Sequence, residues 1–218
     1  MSWGNAKRNK INDYIEATFV KEDAQLQQVR ASITAQQMPA ISVSAASGKL
    51  LTLLVAMTGA TNVMEIGALG GYSGICLARG FGQQGKLTSL ELDASYAEVA
   101  QRNLQDAGFA EQVTYKIGPA LESLAQLATT SERFDFFFID ADKENYENYV
   151  AACLQVAQPN AIIVMDNVLA AGSVVGEDVA PKRYTTIMKA FNDYVATYPQ
   201  LQSLLLPIGD GMTVARII

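Results

Sequence analysis

The sequence predicts an α/β fold: a doubly wound, mostly parallel seven-stranded sheet with a C-terminal antiparallel hairpin. Three observations carry this. Short apolar runs alternate with helix-period segments over residues 62–197, the pattern of repeated strand–helix crossovers. Two of those runs, 134–139 and 161–165, are almost wholly apolar, as parallel strands covered on both faces must be. Residues 201–207 and 212–218 then flank Ile208-Gly209-Asp210-Gly211, which reads as the turn of a hairpin.

The elements follow in order. Residues 11–36 are polar with spaced apolar positions, and predict one or two amphipathic helices outside the sheet. They belong to a helical extension, 1–38, within a single domain spanning 1–218. Met38-Pro39-Ala40 interrupts the pattern, and 47–58 resumes it up to Gly59. Strands are expected at 62–66, 86–92, 113–117, 134–139 and 161–165, with helices at 72–80, 95–106, 120–128, 146–157 and 184–197. This is a Rossmann-like arrangement. There is no internal repeat and no low-complexity stretch. The least regular segment, 169–183, has paired small residues and Pro181. A lid or specificity loop and a plain surface connection fit it equally.

Composition narrows the chemistry. The chain has 218 residues, 50% apolar and 17% charged, with a formal charge of −6. This is the profile of a folded soluble domain. Its acidity argues against nonspecific binding to nucleic acid or anionic lipid. No apolar run is long enough to span a membrane, and residues 1–10 lack a secretory apolar core, so a cytoplasmic location is expected. Cys76 and Cys153 lie in apolar segments and read as small buried residues in a reducing compartment. There is no histidine. Histidine triads, histidine–zinc sites and histidine bases are therefore excluded.

Met64-Glu65-Ile66-Gly67-Ala68-Leu69-Gly70-Gly71-Tyr72-Ser73 places glycines between a strand and a helix. There the backbone can approach a ligand closely, at the strand end where open α/β sheets bind nucleotides. The spacing departs from the full dinucleotide fingerprint. Glu91 lies near the end of the second strand, where a carboxylate can accept both ribose hydroxyls of an adenosine; an ordinary capping acid is the plain alternative. Glu65 interrupts an apolar strand, and a buried carboxylate needs donors. It either braces the glycine turn or meets a charged group of the ligand. NAD and S-adenosylmethionine (SAM) both fit these features.

Phe138-Ile139-Asp140-Ala141-Asp142-Lys143 and Val164-Met165-Asp166-Asn167 each set hard oxygen donors directly after a buried strand. If those strands are neighbours, Asp140, Asp166 and Asn167 converge. Two carboxylates and an amide oxygen suit Mg²⁺, while the absence of sulfur and imidazole argues against zinc. Simple strand termination is the alternative reading. Lys143 stands where it can accept a hydroxyl proton or stabilise an oxyanion, or it is one more surface lysine.

Taken in order, Glu-Ile-Gly-x-x-x-Gly-Tyr-Ser, Leu-Glu, Gly-Pro-Ala, Asp-Ala-Asp-Lys, Asp-Asn-Val and Gly-Asp-Gly resemble the cation-dependent class I SAM O-methyltransferases. This is the caffeoyl-CoA and catechol O-methyltransferase group, and its small bacterial members are most similar. The resemblance runs from about Pro39 to the C terminus, and more loosely through the helical N-terminal part. It implies that Val43, Gly67, Ala68, Glu65 and Ser73 surround the methionine portion of SAM, that Glu91 holds the ribose, and that the Ala120 backbone meets the adenine. It implies Asp140, Asp166 and Asn167 as ligands of Mg²⁺, or of Mn²⁺ or Ca²⁺ in its stead, with Asp140 also beside the cofactor. Lys143 and Asp140 would be the catalytic pair, Lys143 as base. The implied substrate is a catechol-like or other vicinal-dihydroxy phenol. Asp142 sides with the caffeoyl-CoA branch. Ala170 and Ala171 replace the aromatic and basic residues that many of those relatives carry, which puts an acyl-CoA substrate in doubt.

Alternatives remain at this level. Asn12-Asp13-Tyr14-Ile15-Glu16 resembles relatives that methylate a 5-hydroxyuridine of tRNA, and Lys7, Arg8, Lys10, Lys182 and Arg183 are candidates for phosphate contact, although no basic stripe accompanies them. An NAD-dependent oxidoreductase and a non-catalytic SAM-binding module are the readings from other classes. The N-terminal helices either build a homodimer interface or cover the pocket of their own chain.

Overall fold

The computed structural model describes residues 5–176 and 179–218, with side chains from residue 10 onward. Most of the polar start, the side chains of Lys7 and Arg8, and residues 177–178 of the irregular segment lie outside the described residues.

The chain opens with helices α1 (Asn5–Phe19), α2 (Ala24–Ala35) and α3 (Ala45–Thr58). Strands β1 (Asn62–Ile66), β2 (Lys86–Glu91), β3 (Val113–Ile117), β4 (Phe134–Ile139) and β5 (Ala157–Asp166) then alternate with α4 (Tyr72–Phe81), α5 (Ala94–Asp106), α6 (Ala120–Ala128) and α7 (Tyr146–Val156). Helix α8 (Thr185–Thr197) leads to β6 (Leu201–Leu206) and β7 (Met212–Ile217). The seven strands form one sheet in the order β3-β2-β1-β4-β5-β7-β6. The first five pair in parallel; β7 runs antiparallel to both β5 and β6. The expected architecture, hairpin included, is present.

The strands are apolar because the sheet is covered twice. Val63, Phe136, Phe138 and Val164 pack toward α2, α3 and α4. Met64, Ile66, Phe137, Ile139, Ile163 and Met165 pack toward α6, α7 and α8. Burying a phenylalanine this way is worth about 1.5–3 kcal/mol. Phe134 breaks the alternation and joins Phe137 on the second side, with ring centroids 5.9 Å apart. The register with β5 shifts at the same place, Phe134 pairing with Ala157 and Phe136 with Ile162, an irregularity of the kind that redirects a side chain.

Helix α2 is stopped at its start by Asp23, whose side chain accepts the Leu26 N–H at 3.0 Å. It buries Leu26, Val29 and Ile33, a helical stripe laid against the first layer. Both cysteines are free and buried, and burial pushes the Cys76 thiol up to about 12. They are packing residues, as expected. Among the described residues, no helix is long and apolar enough to cross a membrane.

The order reverses between β1 and β4, with α4 leaving on one face and α7 on the other. Open α/β sheets bind ligands in the crevice at that point.

Candidate active site

A cavity of about 1070 Å³ opens at this crevice. Val43, Gly67, Ala68, Ser73, Glu91, Ala120, Asp140, Lys143, Asp166 and Asn167 all line it. Of the expected site residues, Glu65 alone is absent from the lining.

The glycine turn connects β1 to α4. Gly67 has φ +96°, and a Cβ built on it falls 2.2 Å from the Asp140 carbonyl oxygen. No larger residue fits there. The turn is braced by Glu91: one carboxylate oxygen accepts the N–H groups of Ala68 and Leu69, each at 2.9 Å. Its other oxygen accepts the Asp93 N–H at 3.0 Å. Bracing was one of two roles expected of Glu65; the structure gives it to Glu91. The oxygen that accepts only the Asp93 N–H retains acceptor capacity.

Glu65 is fully buried behind the wall. It accepts the Ser73 hydroxyl at 2.5 Å and the Ser89 hydroxyl at 2.8 Å, tying β1 to α4 and β2. Burial raises its carboxyl to about 7, against the lowering effect of the two serines. Ser73 thus stands between Glu65 and the cavity. Ala120 is the first residue of α6, where helix N–H groups lack intrahelical partners.

The opposite end of the cavity grows from β4 and β5. Ile139 and Met165 are register partners, so Asp140 and Asp166 follow side by side on strands about 4.8 Å apart. Asp166 is 2% exposed and accepts the Asn167 N–H at 2.8 Å. Burial first, and then the charge of Asp140, pushes its carboxyl well above the usual range, with Lys143 offsetting part. Lys143 Nζ donates to Asp140 Oδ1 at 2.9 Å and to Asn167 Oδ1 at 3.0 Å. The three expected donors and the expected base are therefore one cluster. Asn167 adopts φ +60°, a left-handed conformation that asparagine tolerates better than most residues.

Among the described residues, no group of three or more histidine, cysteine, aspartate or glutamate side chains is placed to hold a metal. The set here is two carboxylates and an amide. It still fits a hard divalent ion: every donor is oxygen, and two carboxylates, one buried and one half-buried, answered by one lysine have negative charge to spare.

Sequence reasoning missed Tyr146. Its hydroxyl accepts Lys143 Nζ at 2.5 Å and donates to the Asp166 carbonyl at 2.9 Å, and Lys143 Nζ sits 4.5 Å from its ring centre. Tyr149 donates to Asp142 Oδ1 at 2.5 Å, and Asn145 to Asp142 Oδ2 at 2.6 Å. Asp142 thus faces the cavity with both oxygens engaged. The three-residue steps from Lys143 to Tyr146 to Tyr149 were the available signal, since they share one helical face.

The irregular segment is anchored to the hairpin. The Ala171 N–H reaches both carboxylate oxygens of Asp210, at 2.7 and 2.9 Å, and the Leu169 N–H reaches the Asp210 carbonyl at 2.9 Å. Its first residues are thus a packed connection, with Ala170 and Gly172 buried.

Comparison with known proteins now adds a name to this geometry. A family model described as O-methyltransferase matches residues 16–218. A catechol O-methyltransferase of Mycobacterium tuberculosis is 44% identical over 167 residues, covering 77% of this chain and 75% of that one. One from Niastella koreensis is 37% identical and covers 95% of this chain and 96% of that one. The crystal structure of an O-methyltransferase from Bacillus cereus in complex with SAH superposes with a TM-score of 0.85 at 33% identity, covering 96% of this chain and 97% of that one. A match along nearly the whole chain, joined to relatives of this identity, settles the point: the chain belongs to the O-methyltransferase family and is a SAM-dependent enzyme.

Proposed function

We propose that this enzyme methylates a hydroxyl of a catechol-like or other vicinal-dihydroxy phenol, with a divalent cation, Mg²⁺ by preference, held by Asp140, Asp166 and Asn167. One observation carries the reading: these three oxygen donors and Lys143 cluster at the ends of β4 and β5, across one cavity from the glycine turn and Glu91. The two nearly full-length or majority matches above are both named catechol O-methyltransferases.

When bound, SAM supplies an electrophilic sulfonium methyl, and the divalent ion makes a chelating hydroxyl more acidic. The chain supplies the rest. Glu91 receives the ribose hydroxyls while keeping the turn closed. Gly67, Ala68, Val43 and Ser73 enclose the methionine portion, Glu65 holding Ser73 in place. The Ala120 N–H meets the adenine. Lys143 Nζ, in its neutral form, takes the proton of the acceptor hydroxyl and so becomes the ammonium that donates to Asp140, Tyr146 and Asn167. Holding oxygen and methyl in line is worth about 7–11 kcal/mol in well-oriented systems. Two adjacent hydroxyls grip a cation better than one, which is why a diol is the favoured acceptor.

The working unit is one methyltransferase domain, residues 1–38 being an extension within it, in a cytoplasmic homodimer. A tRNA acceptor is disfavoured by the net charge of −6 and the lack of a basic stripe in the sequence. The oxidoreductase alternative falls with the family assignment.

The test is mass spectrometry of a panel of hydroxylated acceptors, unmodified tRNA included, incubated with SAM and Mg²⁺. A mass gain of one methyl group confined to vicinal diols supports the reading. Full turnover after removal of all divalent ions would refute the metal's part in it.

A further inference from the structure

The cofactor wall contains a segment with little structure of its own. Ile41, Ser42, Val43 and Ser44 all line the cavity, yet they sit in the link between α2 and α3. Within this link the Ile41 N–H reaches only back to the Pro39 carbonyl, and Ser44 caps α3 through the Ser47 N–H. The Val43 side chain is buried in the first core layer, and its carbonyl is held by Arg30 on α2, whose Nη2 donates to it at 3.0 Å.

Arg30 makes two further contacts at once. Its Nε donates to Glu22 Oε1 at 2.8 Å, and its guanidinium lies 4.1 Å from the centre of the Tyr72 ring. The Tyr72 hydroxyl donates to the same Glu22 oxygen at 2.5 Å. Tyr72 is itself a cavity residue, 2% exposed, and it opens α4 directly after the glycine turn. One guanidinium therefore joins the N-terminal layer, the loose wall segment and the first residue of the cofactor helix. A planar fork with several donors can do this; a lysine cannot hydrogen-bond and stack in the same way.

We propose that Arg30 is a positioning residue for SAM: it sets residues 41–44 against Tyr72 and so fixes the width of the cofactor pocket. This rests on the SAM site described above. Arg30 reaches the cavity only through Val43 and Tyr72, so it governs cofactor affinity and leaves the methyl-transfer step alone.

The experiment compares wild type, Arg30→Ala, Arg30→Lys and Glu22→Gln with a control, Asp23→Ala. The control removes the α2 cap and the Asp23–Arg79 pair at 2.7 Å, and so loosens the same layer while removing none of the Arg30 hydrogen bonds. Calorimetric Kd for SAM, the KM values of SAM and acceptor, kcat and Tm are read for each. Arg30→Ala is expected to raise the Kd and KM of SAM about tenfold, the scale of one charge-assisted hydrogen bond. Its kcat and acceptor KM stay near wild type. Arg30→Lys recovers only part of the loss, and Glu22→Gln gives a smaller loss of the same kind. Asp23→Ala lowers Tm while leaving SAM affinity in place. Equal loss of SAM affinity in Asp23→Ala and Arg30→Ala would overturn the proposal, because general loosening would then explain both. Unchanged SAM affinity in Arg30→Ala, or a fall in kcat alone, would also overturn it. If Arg30→Ala does not fold, Arg30→Lys and Glu22→Gln decide by the same split. A wild type that binds no SAM would sink the cofactor site itself, and the proposal with it.

Discussion

At the cofactor end of the cavity, carboxylates face donors. Glu91 accepts three backbone N–H groups and Glu65 two hydroxyls. At the reaction end, Asp140 and Asp166 instead share the charge of one lysine, and burial together with the charge of Asp140 makes Asp166 costlier to ionise. The first end is satisfied by its own chain and is shaped before any ligand arrives. The second holds more negative charge than the chain answers. A site that discriminates by shape needs the former; a site that must take up a cation needs the latter.

The sharpest way to break this contrast is to remove charge from the reaction end. Asp166→Ala should lower kcat about a thousandfold or more, given that metal assistance is worth several kcal/mol. The Kd of SAM should hardly move. Initial rates and calorimetry on the same sample check this, and a parallel loss of SAM affinity would erase the division between the two ends. Lys143→Ala should cost about 10²–10⁴-fold in kcat, the range for a positioned base. It should do so across all tested acceptors, measured at saturating SAM and Mg²⁺.

A third prediction probes the buried acid behind the cofactor wall. The Glu65 carboxyl ionises at about 7 in the folded protein, against 4.5 ordinarily. Folding therefore favours its protonated form. That contribution is fully present below pH 4.5 and is lost as pH rises through about 7. The difference corresponds to something on the order of 3 kcal/mol. Urea unfolding between pH 4.5 and 8 should show this decline, and Glu65→Gln should flatten it. A wild-type curve that rises across this window by as much would show that other groups dominate. The smallest effect is expected at Glu91→Gln, where the turn keeps an oxygen acceptor but loses charge. The Kd of SAM should rise about tenfold with kcat little changed, measured by calorimetry and saturation kinetics.

The fold was legible where burial is two-sided. Phe134–Ile139 must be a central strand, and its bounds match the reading to the residue. Strand β5 was not: it starts at Ala157, four residues before the expected edge. Gln158-Pro159-Asn160 looks like a break, and Asn160 does take φ +66°. Pairing with β7 begins only at Ile162, so Pro159 sits where a missing N–H costs least. The donors after β4 and β5 were legible because a carboxylate ending an apolar run stands out. The bracing of the glycine turn by Glu91 was not. It depends on which backbone N–H groups a turn presents to a residue more than twenty positions away. Arg30 lay deeper still, since its partners come from three separate stretches of chain.

The contact between Gly67 and the Asp140 carbonyl has a consequence for changing what the enzyme accepts. Donor and acceptor halves meet there main chain to main chain, with no side chain interposed. Their relative aim is thus inherited from the sheet. Residues farther out, such as Tyr149 and Tyr184, can be exchanged to admit bulkier or differently shaped acceptors while the line of attack stays where the strands put it. A methyl group at position 67 would do the reverse, keeping every pocket side chain but pushing the Asp140 main chain away and spoiling the alignment for all of them.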